Sequence, residues 1–154
     1  MAQVQATPVP NLEVAVAYRW LDVQAPLNGI MQVLPMLSQD RVLLTAGWET
    51  SDSEWQIDGT ASYHGPGRLP TTAANPEEYQ RGETYPGYWR VNAQLTKRFD
   101  ILEFYAGMEN INSFIQQDPI IAADDPFGEH FDASLAWGPT TPRMVYLGVR
   151  YTIE

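Results

Sequence analysis

Residues 88–110 read YWRVNAQLTKRFDILEFYAGMEN, and apolar and polar side chains alternate in them on both sides of a short interruption. Successive side chains of a β-strand point to opposite faces, so this alternation predicts strands at 88–97 and 101–110, each with one apolar face. Only Arg98, Phe99 and Asp100 separate the two segments. An interruption of this length predicts an antiparallel hairpin.

The same alternation recurs along the chain in segments that contain no proline. Proline is excluded from the interior of central strands, so these segments predict where a sheet lies. The predicted strands are residues 12–22, 41–50, 54–64, 88–97, 101–110 and 144–153. We therefore predict an all-β fold, an antiparallel meander of six long strands, with residues 1–11 as an N-terminal extension and residues 12–154 as one domain. An even number of strands would bring both ends of the meander to the same edge.

The composition excludes several functional classes. The chain has 154 residues, with 19 acidic and 9 basic side chains and a net charge of −10, so nucleic acid is not an expected partner. It has no cysteine, which excludes disulfide scaffolds, zinc-thiolate sites and cysteine nucleophiles. No apolar run approaches the roughly 18 residues that a membrane-spanning helix needs. No Ser-His-Asp order, glycine-rich phosphate loop or metal-ligand pair is recognisable, so we predict no catalytic residue, no metal site, no cofactor and no enzyme.

Strand lengths and loop lengths together favour a membrane barrel. Strands of 10 or 11 residues are longer than usual and match the length that crosses a bilayer at a tilt of about 45°. Long links at 23–40, 65–87 and 111–143 alternate with short turns at 51–53 and 98–100. Short turns at one edge and long loops at the other are typical of outer-membrane barrels.

Large aromatic residues on the apolar faces fall at two levels. The set nearer the short turns is Trp48, Trp55 and Tyr151, and the set nearer the long loops is Tyr18, Trp20, Tyr63 and Trp89. Trp55 and Tyr63 are separated by about 26 Å along a strand and about 20 Å in height once the strand tilts, close to the apolar band of a barrel. We therefore predict that these aromatics lie at the membrane interface. A soluble β-sandwich or a lipocalin-like small-ligand binding module shows the same alternation and is the alternative.

Three segments near the end of the chain carry a family resemblance: FYAGMENINSF (104–114), DPIIAADDPFGEHFDASLAWGP (118–139) and YLGVRYTIE (146–154). Together with AYRWLDVQ (17–24), WQIDGT (55–60) and GPGRLP (65–70), they resemble the C-terminal barrel of TonB-dependent outer-membrane receptors, in the style of those from the Bacteroidota. The resemblance implies part of a transmembrane β-barrel of about 22 strands that encloses a plug. It also implies import of iron chelates, haem, cobalamin or glycans, with energy from the TonB system.

The same resemblance gives expectations for location and partners. It implies residence in the outer membrane, contact with membrane lipid, and insertion by the outer-membrane assembly machinery. The family's plug and TonB box would precede these strands, so we expect a fragment that reaches the TonB system only through N-terminal regions it lacks. In the last strand, Gly148, Tyr151 and Ile153 are similar to the signal that the assembly machinery reads by strand pairing.

Two histidines are the ligand-contact candidates. His64 and His130 both fall near the long loops, where an imidazole is able to contact haem or a metal chelate. Acidic residues surround His130 without the regular Asp and Gly spacing of a calcium loop, so we expect a solvated acidic loop. These acidic residues are Asp118, Asp124, Asp125, Glu129 and Asp132.

Overall fold

The computed structural model describes residues 1–27 and 29–153, and strands dominate it. The strands are, in chain order, β1 (Ala2–Val9), β2 (Leu12–Trp20), β3 (Gln24–Leu27), β4 (Ile30–Val33), β5 (Asp40–Glu49), β6 (Trp55–His64), β7 (Gly67–Arg68), β8 (Thr84–Tyr85), β9 (Tyr88–Arg98), β10 (Leu102–Glu109) and β11 (Met144–Tyr151). Seven of them form one antiparallel sheet in the order β1-β2-β5-β6-β9-β10-β11. The predicted all-β antiparallel fold is therefore confirmed.

Consecutive strands of this sheet are joined alternately at its two ends. Tight turns at residues 10–11, 50–54 and 99–101 lie at one end, which we call the short-turn edge. Links at 21–39, 65–87 and 110–143 leave from the other end, the long-loop edge. Within the β1-β2 turn, Asn11 has a φ of 65°, a left-handed conformation that asparagine tolerates better than most residues.

The prediction that residues 1–11 form an N-terminal extension is wrong, because β1 is a strand of the sheet. Gln3 lies opposite Ala17 and Val4 lies opposite Val16 in the register with β2. The register shifts between Ala6 and Val9, around Pro8. An outermost strand accepts a proline because one side of its backbone makes no ladder hydrogen bonds.

The extra strand changes the count from six to seven and changes where the chain enters the sheet. β1 begins at the long-loop edge, whereas β11 ends at the short-turn edge, so the prediction that both ends share one edge is also wrong. Two predicted strands end two residues early: the strand predicted at 12–22 ends at Trp20, and the strand predicted at 144–153 ends at Tyr151.

The register separates the side chains of the sheet into an apolar face and a polar face. Across four neighbouring strands, one row of the apolar face is Val16, Leu44, Ala61 and Val91. The adjacent row on the polar face is Ala15, Thr45, Thr60 and Asn92. Leu43 is an exception, because it lies exposed on the polar face. The one-sided strands predicted from the alternation thus combine into a sheet with two chemically different surfaces.

The long links contain structure of their own. Two short hairpins, β3-β4 and β7-β8, and a 3-10 turn at Glu77–Tyr79 lie in the first two links. In the third link, Ile121 pairs with Asp132, and Ile121 packs with Ala122 and Leu135 in a small core. No helix in the described part of the chain is long and apolar enough to cross a membrane.

The buried apolar side chains show where packing occurs. In residues 1–27 and 29–153 they all lie in the long links or at the strand end beside them: Leu69, Tyr85, Tyr88, Ile121, Ala122 and Leu135. Neither face of the seven-stranded sheet is covered by a second layer in the described residues. The apolar face is therefore left open.

Candidate membrane face and polar wall

The apolar face is a wide, continuous apolar surface. Its centre carries valine, leucine, isoleucine and alanine, and many of its large side chains are exposed by more than a third: Val16, Leu44, Ile57, Leu95, Phe104, Val145, Leu147 and Val149. Soluble monomers rarely expose contiguous apolar patches larger than a few hundred Å². A surface of this kind requires an apolar neighbour. Because the side chains of each strand alternate, all of this apolar surface lies on one face of the sheet.

The predicted interface aromatics lie at the two ends of this face. In the register, Tyr18 lies opposite Val42, Val42 opposite Tyr63, and Tyr63 opposite Trp89, so one row near the long loops crosses four strands. The rings of Tyr63 and Trp89 contact each other with centroids 5.2 Å apart. Trp20 lies beyond this row, and Trp48 and Trp55 lie near the short turns. Their role at a membrane interface stays a prediction.

Lys97, the only lysine in the sequence, lies on the apolar face at the short-turn edge, a position that the sequence reasoning did not interpret. Its Nζ is 4.8 Å from the ring centroid of Trp55 and 5.3 Å from that of Phe99, and it pairs with the carboxylate of Glu54. A lysine at the end of an apolar surface keeps its stem on that surface and its charge in water. The sequence could have predicted this position, because Lys97 is an even number of residues from Trp89 and Leu95 and therefore lies on the same face of the strand.

The polar face near the short turns carries a network of charged and amide groups. The guanidinium of Arg98, at the end of β9, contacts two carboxylates. Its Nε is 3.2 Å from Oε2 of Glu103 on β10, and its Nη1 is 3.9 Å from Oε2 of Glu49 on β5. It also donates to Oε1 of Gln56. Nη1 of Arg150 lies 2.6 Å from the other oxygen of Glu103. The Glu103 carboxylate therefore joins β9, β10 and β11 on the polar face.

Two tyrosines and two glycines interlock on the polar face of the last hairpin. Tyr105 is the direct cross-strand partner of Gly148, and Tyr146 is the partner of Gly107. The Tyr146 hydroxyl donates to Oε1 of Gln94 at 2.9 Å. Of the three residues predicted as an assembly signal, Gly148 therefore lies on the polar face and Tyr151 on the apolar face, while Ile153 follows the end of β11. Recognition of these residues by the assembly machinery stays a prediction.

Stacked rings connect the sheet to the long links. The rings of His64 and Tyr88 lie 4.8 Å apart, and those of Tyr88 and Phe114 lie 4.7 Å apart. Trp137, from the third link, stacks on Tyr85 at 5.0 Å. The predicted ligand-contact residue His64 is thus held in a stack at the end of β6, and His130 packs instead near Tyr79 at 5.3 Å. Ligand contact by either histidine stays a prediction.

Gln116 fixes the third link. This buried side chain donates to the carbonyl of Leu135 at 2.9 Å and accepts from the backbone N–H groups of Trp137 at 2.8 Å and Gly138 at 3.0 Å. Its own backbone N–H donates to the carbonyl of Pro139 at 2.8 Å. The two halves of the link are therefore tied together beside the ring stack, which gives this region a defined shape.

The acidic residues of the third link do not converge. Among the residues that the structure describes, no three His, Asp or Glu side chains are placed to hold a metal ion together. Asp132 has a local role, because the Ser134 hydroxyl and the Ser134 backbone N–H hold the pKa of its carboxyl below the usual value. The backbone bond measures 2.7 Å.

Comparison with known proteins gives one structural likeness. No family model matches the sequence, and no curated protein matches it. Among solved structures, the chain is similar to the ferric-catecholate import receptor Fiu of E. coli K12 in its closed form, with a TM-score of 0.60 and 16% sequence identity. The alignment covers 97% of this chain and 20% of the receptor, so the chain spans about a fifth of that protein's length. At this identity the likeness shows the fold alone: the chain folds like a segment of that receptor, and the receptor itself is an importer.

Proposed function

We propose that this chain forms part of the wall of an outer-membrane import receptor, with its apolar face toward lipid and its polar face toward a water-filled interior. The observation that carries the proposal is the asymmetry of the sheet. Its apolar face is open over all seven strands, whereas the long links beside it bury their own apolar side chains. Lipid is the neighbour that satisfies such a surface without a second protein layer.

The ends of the apolar face support the same orientation. Aromatic rings are enriched at both interfaces of membrane barrels, and the tryptophans and tyrosines of the apolar face lie at its two ends. Lys97 beside Trp55 has the chemistry of a residue at the boundary between lipid and water. By this reading the short-turn edge faces the periplasm and the long-loop edge faces the outside of the cell.

The proposed cargo follows from the family resemblance. TonB-dependent receptors import iron chelates, haem, cobalamin or glycans, and the structural likeness to a ferric-catecholate import receptor supports membership of this broad class. Seven strands are fewer than the roughly eight of the smallest closed barrels, so the wall needs further strands. The plug and the contact with the TonB system would come from regions other than these 154 residues.

β11 supports the proposed contact with the assembly machinery. It is an outermost strand, so one side of its backbone is free to pair with another strand, and its apolar side chains are among the most exposed in the sheet. Strand addition to such an edge is a general mode of recognition. We propose that Gly148, Tyr151 and Ile153 act in this recognition.

A soluble β-sandwich or lipocalin-like binding module is the competing function. Both of these folds bury their apolar faces against a second sheet or inside a closed barrel. The described residues supply one open sheet, with no second large sheet to cover it. This observation favours the membrane wall.

Neighbouring cysteines on the two faces of β5 test the proposal. Thr45 lies on the polar face and Ala46 on the apolar face, both near the middle of the strand, and the sequence has no native cysteine to remove. In the intact protein in lipid vesicles, we expect Thr45→Cys to react with a water-soluble thiol reagent. We expect a spin label at Ala46→Cys to be quenched by a lipid-soluble quencher, with Ser51→Cys in a turn as the water-exposed control. Water access to both faces, or the reverse pattern, would favour the soluble module.

A further inference from the structure

Three arginines come together on the polar face at the long-loop edge. Arg19 on β2 lies directly opposite Arg41 on β5, and Arg41 lies directly opposite His64 on β6. Arg90 on β9 joins them from the position opposite Ser62, next to His64 along β6 on the same face. We call Arg19, Arg41 and Arg90 the arginine cluster. Like charges placed directly opposite each other destabilise a sheet, so the Arg19–Arg41 pair requires a compensating partner.

The described residues do not supply that partner. Their ion pairs engage Lys97, Arg98 and Arg150, all nearer the short turns, and none engages the arginine cluster. Arg68, Arg81 and Arg143 make no ion pair among the described residues either, but they lie in the long links, so the arginine cluster is distinguished by its place on the sheet.

Arg19 gives a second, independent observation. Its Nε is buried and has no hydrogen-bond partner among the described residues. A buried donor left without an acceptor costs about 1–3 kcal/mol, so such groups usually have an acceptor in the working state of a protein. The side chains of Arg41 and Arg90 are exposed, so the cluster is open from the polar face.

We infer that the arginine cluster binds a small oxyanion with two or more carboxylate or phosphate groups. The inference rests on the proposed function and narrows its cargo to an anionic compound that enters from the long-loop edge. Guanidinium groups match such oxygens with paired, charge-assisted hydrogen bonds. Because neighbouring strands are about 5 Å apart, arginines on β2, β5 and β9 would contact acidic groups spread over roughly 5–15 Å. A neutral glycan would leave these charges uncompensated.

The test uses citrate as the probe, because it carries three carboxylates on a small skeleton. Binding of radiolabelled citrate to the intact protein in detergent micelles is measured by equilibrium dialysis, alongside acetate and the uncharged triethyl citrate. We expect saturable citrate binding that falls about tenfold in Arg41→Gln and in Arg90→Gln, the loss of one charge-assisted contact. Arg41→Lys keeps the charge and should retain more affinity than Arg41→Gln. Acetate and triethyl citrate should bind far more weakly.

The matched control is Arg143→Gln, which removes the same charge at the long-loop edge outside the arginine cluster. Equal citrate affinity in Arg41→Gln, Arg90→Gln and Arg143→Gln would overturn the inference, as would the absence of saturable binding by wild-type protein whose strand content is intact by circular dichroism. A folded wild type that binds no citrate, with Arg41→Gln raising its stability, would show repulsion without an anion and would also overturn it.

The cysteine experiment at positions 45 and 46 separates this inference from the proposed function. Lipid access at Ala46→Cys with no citrate binding overturns the anion site alone. Water access to both faces overturns the membrane wall, and citrate binding by that protein would then support the arginine cluster as the site of a soluble binding module.

Discussion

The ring of Tyr105 lies over Gly148, its direct partner across the last hairpin, so closely that a Cβ on Gly148 would be 2.1 Å from Cζ of the tyrosine. Two residues away, the ring of Tyr146 lies over Gly107 in the same way, again with 2.1 Å from a Cβ to Cζ. Each tyrosine therefore occupies the space that a side chain on the opposite strand would fill. A slip of the register would bring rings against side chains, so these pairs specify how β10 and β11 align.

Replacing Gly148 should destabilise the protein. We expect Gly148→Ala to lower the free energy of unfolding by about 1–3 kcal/mol, because the Tyr105 ring must leave its position. Chemical denaturation in detergent micelles measures the change. Gly59→Ala is the matched control, since the nearest atoms to its Cβ are 4.0 Å away. In a double-mutant cycle with Tyr105→Ala, the cost of Gly148→Ala should largely disappear; an unchanged cost would show that the ring is not its cause.

Glu103 should stabilise the folded sheet, because its carboxylate bridges two arginines. Its side chain is only 17% exposed, whereas those of Arg98 and Arg150 are 37% and 68% exposed. We expect Glu103→Gln to lower the free energy of unfolding by about 1 kcal/mol after allowance for solvent screening at the arginines, and less at high salt. Denaturation at two salt concentrations checks this, with the exposed Glu109→Gln as control. Equal effects of the two substitutions would contradict a specific role for the bridge.

Gln116 should determine how firmly the third link is held. Gln116→Ala removes one donated and two accepted hydrogen bonds and leaves two half-buried backbone N–H groups without that acceptor. We expect faster hydrogen exchange at the amides of Trp137 and Gly138, and faster proteolysis between residues 117 and 136. The exposed neighbour provides the control, because Gln117→Ala removes only a 3.4 Å contact to Ile115. Unchanged exchange in Gln116→Ala would mean that the ring stack alone holds the link.

The turn between β5 and β6 should respond to acid through Asp52. The Thr50 hydroxyl and then the backbone N–H of Glu54 hold the pKa of this carboxyl below its usual value. A folded-state pKa below the unfolded value stabilises the fold above the unfolded pKa, and this contribution is lost as the pH falls through the folded pKa. We expect Asp52→Asn to be less stable than wild type near neutral pH, with the difference shrinking in acid. Denaturation curves from pH 7 to pH 3 would contradict this if the difference were constant.

The sequence predicted the faces of the strands well, because a period of two depends only on neighbouring residues. The strand that contains Trp89, Val91 and Leu95 lies where the alternation predicts it, and the short turn after it was also predicted. β1 was missed because strands were predicted only in segments without proline, whereas β1 contains Pro8 and Pro10 follows it directly. That reasoning applies to central strands and fails at an outermost strand, where proline does not interrupt a ladder on both sides.

What the sequence could not supply was register. The opposition of Arg19 and Arg41, and that of Tyr105 and Gly148, depend on which residue of one strand faces which residue of the next, and single-strand periodicity is silent on this. The hairpins of the long links were missed for another reason. Their strands are only two or four residues long, which is too short for an alternation of apolar and polar side chains to mark them.

The seven-stranded sheet also limits how it is able to close. Direction alternates from strand to strand in an antiparallel sheet, so its first and seventh strands, β1 and β11, run the same way. Pairing of β1 with β11, within one molecule or between adjacent copies that face the same way, would be a parallel junction. Closure with antiparallel junctions throughout needs an odd number of further strands between them. The odd number of strands in this sheet, independent of any side chain, thus sets how many further strands a fully antiparallel barrel would need.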